Sequence, residues 1–549
     1  METFDVVVVG AGPVGLTLAI DLGRRGVRTL LAEQDLTTKP WPKMDRSNAR
    51  TMEFYRRLGI AERVRKLGYP PEASMDVFIV TRLKDTPLAR LHYPNVAECR
   101  TKIANCEDGS EPLEPYQLVS QNKLEPLLKE IAEHTPNLTV QYGCELTKFE
   151  QGERGVKATF VQNGVDRLVS SSYLVGCDGG TSTVRKNLGI KLEGQGGIRS
   201  TRQIFFRSEQ LYDRIPIGKG RHYYVADQQA SAFVVQGDRK EFTLNSALPE
   251  GADIEQEVRN RVGFDFDFQL INVSNWKLHL LLAERYRDRR VFLAGDAVHL
   301  VIPTGGLGMN TGVGDALDLS WKLAGTIAGW GGQTLLDSYE WERRKVGARN
   351  VKASGWAAAG MGMWRALWRP EVTEASSAGA QLRAEIARTA EVHHRRVHEM
   401  IGVELGYSYH GSAVIASEAH DDSDWDTTTY TPHTRPGVRL PHMWLKDGRA
   451  IQDVIGSGYT LIDLTGDADT KELENSFRDL GAPLQILRLE ESRLREVYGS
   501  PLLLLRPDMH IAWRGSSLAG QAAALARLVT GHLDVEASVP SSGARETVG

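Results

Sequence analysis

The stretch from Phe4 to Glu33 constrains this chain more than any other. Val6 to Val9 is an unbroken β-branched run, the pattern of a strand buried on both faces. Gly10-Ala11-Gly12-Pro13-Val14-Gly15 follows it directly and opens a helical repeat, Leu16 to Arg25, that Gly26 ends. Arg28 to Ala32 reads as the next strand, and Glu33 stands at its end. In such a βαβ unit the first glycine makes the tight turn, the second lets the backbone approach a pyrophosphate, and the third packs helix on strand. The helix N-terminus turns its free N–H groups and positive dipole end towards the phosphates. Glu33 is placed to accept hydrogen bonds from adenosine ribose hydroxyls. A glycine turn without a ligand is the alternative. Taken alone, this signal predicts an α/β dinucleotide fold but does not separate NAD from FAD.

A second run makes that separation. It reads Arg290-Val-Phe-Leu-Ala-Gly295-Asp296-Ala-Val-His299, then Pro303, Gly305, Gly306, Gly308-Met309-Asn310-Thr-Gly312 and Asp315. A buried strand ending in Gly-Asp sets a carboxylate where a ribityl hydroxyl could bond it. The glycine loop after it offers bare N–H groups to the polar edge of an isoalloxazine and to negative charge on reduced flavin. Cys177-Asp178-Gly179-Gly180-Thr-Ser182-Thr-Val-Arg185 is a third signal, which a turn with a helix cap would also explain. Ser120-Gln121-Asn-Lys-Leu124-Glu125 is a fourth, or an ordinary helix start.

These motifs together resemble the class A FAD-dependent aromatic hydroxylases, those like para-hydroxybenzoate, phenol and 3-(3-hydroxyphenyl)propionate hydroxylase. The resemblance runs from about Met1 to Val351. Arg435-Pro-Gly437-Val-Arg439-Leu-Pro441-His442 and Leu505-Arg506-Pro507-Asp508 with Ala512-Trp513-Arg514 are similar to the thioredoxin-like third domain of the phenol hydroxylase branch. It implies a Rossmann-like α/β FAD-binding domain, an inserted antiparallel-sheet substrate domain and a thioredoxin-like C-terminal domain. No cysteine lies beyond Cys177, so that last domain has no CxxC and no redox role. The expected order is FAD-binding domain (1–75), substrate domain (76–110), FAD-binding domain (111–190), substrate β-sheet (191–284), FAD-binding domain with helices (285–405), linker (406–436) and thioredoxin-like domain (437–549). The Asp421–Pro436 part of the linker is rich in Asp, Thr and Pro, and the Ser/Gly-rich end from Val539 to Gly549 reads as frayed.

The resemblance implies FAD as cofactor, NADPH or NADH as co-substrate, O2, and a small aromatic substrate hydroxylated through a flavin C4a-hydroperoxide. Gly10, Gly12, Pro13, Val14, Gly15, Glu33, Gln121, Asp178, Asp296, Gly306, Gly308, Met309 and Asn310 would contact the cofactor. Lys43 stands where relatives often carry a phosphate-binding Arg, and it keeps the charge but loses the bidentate fork. Ionising a phenol makes its ring a better nucleophile, and Asp45 is the base that the resemblance suggests; a loop Asp bonded to its backbone or to Arg46 is the bland alternative. Tyr223 and Tyr224 lie on a predicted strand with His222 beside them, and alternation lets only one tyrosine face the pocket. Pro303 would offer its carbonyl region to substrate. His393, His394 and His398 are interleaved with Arg395 and Arg396 and read as a solvated helix face. Expulsion of a nitro or halide substituent, polyketide tailoring, and a non-oxygenating flavoenzyme remain open.

Bulk properties narrow the alternatives. Net charge is −4 and the densest basic cluster, Arg285 to Arg290, is broken by Tyr286 and Asp288, so nucleic acid is not an expected partner. Four cysteines without a CxxC predict neither a disulfide framework nor a metal site. Neither a signal peptide nor a membrane span is read, so a soluble, cytoplasmic chain is expected, with a homodimer allowed.

Overall fold

The computed structural model describes residues 2–418 and 426–532. The Val539–Gly549 end, and residues 421–425 of the predicted linker, lie outside the described residues.

The strand Glu2–Val9 is the centre of the first sheet, because Val6 to Val9 have no polar face to turn to water. It pairs in parallel with Val165–Gly176 on one side and Thr29–Glu33 on the other. Val291–Leu293 and Leu138–Tyr142 extend the parallel sheet outward. Cys144–Gln151 and Val156–Gln162 form an antiparallel meander leading into Val165–Gly176. The helix Pro13–Arg24 starts with proline at its first turn, where the missing N–H costs nothing, and is buried along nearly its whole length. It is buried all round because the helix Leu307–Ile327 packs on its outer side.

The second sheet has eight strands. Its middle is antiparallel: Gln269–Ala283, Leu192–Arg207, Glu241–Ser246, Ala232–Val235 and His222–Val225 follow one another across it. One pairing departs from the expected antiparallel pattern. His222–Val225 lies parallel to Val77–Val80, a strand far earlier in the chain that arrives by a crossover instead of a hairpin. The short strand His299–Leu300, just past the Gly295-Asp296 turn, pairs with Leu281 and Leu282. The second sheet is thereby stitched to the loop that follows the first.

Helix Gln333–Arg365 spans 33 residues, longer than the periodicity predicts; it packs on Gln269–Ala283 of the second sheet, and its Tyr339 hydroxyl donates to the Leu293 carbonyl of the first at 2.7 Å. Residues 406–418 do not behave as a loose linker: Tyr407, Tyr409, Val414 and Ile415 are buried. The C-terminal sheet runs Leu484–Arg488, Tyr459–Asp463, Leu502–Leu505, Ile511–Gly515, with the first pair parallel and the rest antiparallel, as a thioredoxin-like domain requires. Two buried ionic clusters lock it down. Arg506 reaches Asp318 at 2.9 Å and Glu342 at 2.7 Å. Arg439 pairs with Glu53, which also takes Arg50 at 3.0 Å. Burial alone would raise the Glu53 carboxyl; Arg439 and Arg50 override it and hold it at about 2. No helix among the described residues is long and apolar enough to cross a membrane.

Candidate active site

At the adenosine end the three glycines differ in what surrounds them. A Cβ on Gly10 would stand 2.5 Å from the Cys177 carbonyl oxygen, and Gly10 has φ +101°. One on Gly15 would stand 2.0 Å from the Gly10 carbonyl. One on Gly12 would meet nothing within 4 Å. Gly10 and Gly15 are therefore required by the fold itself, while Gly12 borders open space. Gly12 caps the helix without a side-chain partner, so the first-turn amides face that space uncapped. Glu33 accepts the Ala11 N–H at 2.7 Å and the Asp35 N–H at 2.9 Å, which fixes its carboxylate at the rim. Gln121 donates to Glu125 at 2.5 Å. Burial raises the Glu125 carboxyl, and Gln121 and then Lys43 lower it in part, which sets Lys43 near this end.

At the other end, Gly295 sits at φ +64° and its N–H donates to Asp315 at 3.0 Å. Asp315 also takes His299 at 2.8 Å and Arg343 at 2.8 Å. Burial alone would raise this carboxyl; Arg343 and His299 outweigh it and hold Asp315 low. Asp296, beside it, is different. Its side chain is exposed to solvent at the rim of densely packed protein, and desolvation by those neighbours raises its carboxyl against the pull of His299 and Lys43. It has no protein hydrogen-bond partner among the described residues. An accessible, unpartnered carboxylate beside the glycine loop is the arrangement a hydroxylated ligand chain would complete.

Gly305 and Gly306 have φ +82° and +64°, and Gly306 begins the helix Leu307–Ile327 with no side-chain cap. Met309 is half-buried at the cleft, and a Cβ on Gly308 would approach Asp296 Oδ1 to 4.0 Å. The Asn310 amide is fully used: it accepts the Asn48 N–H at 2.9 Å and donates to the Arg46 carbonyl at 3.0 Å and the Gly306 carbonyl at 2.5 Å. It ties the Lys43–Asn48 segment to the glycine loop. Asp178 acts as a cap, accepting Ser182 Oγ at 2.5 Å and the Val184 N–H at 3.0 Å. Arg185 then bridges Gly180 and Ala297 through their carbonyls, at 3.0 and 2.9 Å, so the Asp178 and Asp296 turns are braced together. The Pro303 carbonyl accepts the Gly306 N–H at 3.2 Å, and its ring is exposed.

Between the glycine loop and the second sheet lies a cluster of aromatic rings, the candidate substrate chamber. His222 and Tyr224 share one face of their strand, with ring centroids 5.8 Å apart. Tyr223 is on the opposite face, stacked on Phe78 at 5.3 Å, with its hydroxyl bonded to Gly218 and Gly220; it does not share the chamber. His394 and His398 correct the sequence reading. The helix Ser377–His393 tightens into a 3-10 turn, His394–Val397, which turns Arg395 outward and buries His394 fully and His398 largely. His394 meets the Tyr224 ring at 4.2 Å and His398 meets His222 at 5.2 Å. Asp45 pairs neither with its own backbone nor with Arg46 but with Arg221, which is 1% exposed, while Asp45 stays 26% exposed. Arg46 pairs with Glu404 at 2.8 Å. Neither Arg221 nor His394 and His398 carried a local signal, since their partners are distant in the chain.

The site residues therefore fit FAD. One cradle of free amides and an acid stands at the adenosine end, a second stands at the ring end, and Lys43 lies between them, within electrostatic reach of Glu125 and Asp296. Comparison with known proteins agrees. The family model described as "FAD binding domain" matches residues 3–354, and "Aromatic-ring hydroxylase, C-terminal" matches residues 433–534. The chain belongs to the FAD-dependent aromatic-ring hydroxylase family of flavoprotein monooxygenases. It is 32% identical to the FAD-dependent monooxygenase apdD of Emericella nidulans, over 94% of this chain and 88% of that protein. It is 32% identical to the aklavinone 12-hydroxylase RdmE of Streptomyces purpurascens, over 94% of this chain and 96% of that one. Among solved structures, the rebeccamycin biosynthetic enzyme RebC with reduced flavin superposes with a TM-score of 0.89 at 30% identity, covering 97% of this chain and 99% of that chain.

Proposed function

We propose that this flavoprotein hydroxylates a phenolic aromatic substrate with NADPH or NADH and O2. The observation that carries the reading is the cluster of His222, Tyr224 and His398, next to the His394–Val397 turn that packs on the Thr304–Gly306 turn of the glycine loop. Bound FAD would supply hydride acceptance and oxygen activation; the residues of this chain bind, orient and exclude water. Gly12, Glu33, Gln121 and Lys43 would hold the adenosine and phosphates. Asp296 and the amides of Leu307 to Asn310, past the Gly306 cap, would hold the ribityl chain and ring, the uncapped helix end favouring negative charge there. Asp45, anchored by Arg221 and still accessible, is the proposed acceptor of the substrate proton. Pro303, exposed at the mouth, would border the substrate.

A polycyclic phenol of the polyketide-tailoring kind is the second reading. It is favoured by the end-to-end match to an aklavinone hydroxylase and to RebC. The four free thiols suit a reducing cytoplasm. The test is a panel of phenols, catechols, nitrocatechols and hydroxylated polycycles, scored for stimulated NAD(P)H oxidation and for product mass. A gain of one oxygen in a stimulating compound is the expected result. Stimulation by none of them, or an unchanged product mass, overturns the reading.

A further inference from the structure

His394 fixes the chemistry of its neighbours. The Trp364 indole N–H donates to His394 Nδ1 at 3.2 Å, so Nδ1 is the bare nitrogen and Nε2 carries the proton. His394 is fully buried and supports His398 from behind, ring centroids 5.5 Å apart. On its other sides His398 meets Tyr93 at 5.2 Å and His222 at 5.2 Å. His398 Nε2 is buried without a hydrogen-bond partner. The half-buried His222 ring makes no hydrogen bond to protein among the described residues. Burial, then Arg46 and Arg221, pushes His398 down to about 3, and burial with Arg221, His398, His394 and Arg46 pushes His222 well below its ordinary value. Both imidazoles are thus neutral at physiological pH, and each offers one donor and one acceptor.

The segment that carries His398 lies next to the glycine loop. The His394–Val397 turn packs on the Thr304–Gly306 turn, and a Cβ on Gly305 would stand 2.3 Å from the Met400 sulfur, two residues past His398. The remaining walls are the aromatic rings of Tyr224 and Tyr93. Unsatisfied polar nitrogens among aromatic walls call for a flat ligand with a polar edge that both gives and takes a hydrogen bond. A carboxylate could only accept, and a ring ether could only accept; a ring hydroxyl does both.

We propose that His398 and His222 form a specificity-determining pair that hydrogen-bonds the hydroxyl of the aromatic substrate, His398 through Nε2. This rests on the reading of the substrate as a phenol. The test uses the FAD-loaded, oxidised enzyme without NAD(P)H, so that binding is read apart from turnover. Affinities for para-nitrophenol and its methyl ether para-nitroanisole are taken from the flavin absorbance change. The wild type is expected to prefer the phenol by about tenfold, the size of one well-made hydrogen bond to a buried group. His398→Phe and His222→Phe should each bring that preference close to unity and leave the ether affinity unchanged. His398→Gln, whose amide nitrogen reaches about as far as Nε2, should keep most of the preference, and His398→Asn, which reaches only as far as Nδ1, should lose it. The Gln and Asn pair decides the matter even if a Phe variant fails to fold. An unchanged preference in the Phe variants, or equal behaviour of Gln and Asn, overturns the proposal. Discrimination without any hydroxylated product would sink the activity reading and leave the pair standing; hydroxylation with unchanged discrimination does the reverse.

Discussion

Gly12 and Gly15 stand three residues apart in one motif, and the structure assigns them opposite phenotypes. Gly12 has φ −72° and ψ 179°, extended backbone that alanine adopts without strain, and its added methyl would meet no protein atom within 4 Å. Gly12→Ala weakens a helix cap by about 1 kcal/mol, and the stiffer unfolded chain returns about 0.4–1 kcal/mol. The apo protein should therefore stay within about 1 kcal/mol of wild type. The methyl instead occupies the space where the pyrophosphate must approach. Overpacking costs about 1–3 kcal/mol, which is about 5- to 150-fold in Kd for FAD. Gly15→Ala should behave in the reverse manner: its methyl would collide with the Gly10 carbonyl at 2.0 Å, a backbone atom that cannot yield without opening the turn. The apo protein itself should lose about 1–3 kcal/mol or more. Urea denaturation of both apo variants, with FAD titrations followed by flavin fluorescence, separates the two effects. Wild-type FAD affinity in Gly12→Ala, or equal loss of apo stability in both variants, would refute the reasoning.

Three further outcomes follow from the same geometry. Asp296 has its carboxyl raised by burial, so in the apo protein its charged form is a liability that is absent in acid and grows as pH rises past the ordinary carboxylate range. Asp296→Asn should therefore stabilise the apo protein at neutral pH, with the gain fading in acid, while weakening FAD binding; a loss of neutral-pH stability in thermal melts would contradict this. Glu53, held at about 2 against an ordinary 4.5, contributes stability at neutral pH that is lost as pH falls from about 4.5 towards 2. Arg439→Met leaves that buried carboxylate short of a partner and should cost about 3–5 kcal/mol, exposing the C-terminal domain to limited proteolysis; wild-type protease resistance would count against the clamp. Asp45→Asn should slow hydroxylation of the best phenol and change its pH–rate profile, and an unchanged profile would remove Asp45 from the proton-accepting role.

What could be read in the sequence was what is local. Val6–Val9, the glycine turn and the Glu33 acid lie within one supersecondary unit, where spacing dictates geometry, and the structure forms it as spaced. Alternation told that one of Tyr223 and Tyr224 faces the chamber, but choosing Tyr224 required Phe78, which sits on a strand far away in the chain and packs on Tyr223. His394 and His398 were masked by Arg395 and Arg396: the helical period suggested a wet face, whereas the switch to a 3-10 turn re-phases the segment and buries both rings. The Asp45–Arg221 pair spans 176 positions and leaves no trace in either local sequence.

The most direct measurement is a titration of the purified apo chain with FAD, taken to stoichiometry by flavin fluorescence and repeated on Gly12→Ala and Asp296→Ala. One FAD per chain is expected, with each substitution weakening binding from opposite ends of the cleft. No uptake of FAD, or wild-type affinity in both variants, would contradict the two-ended grip on which the enzyme's chemistry depends.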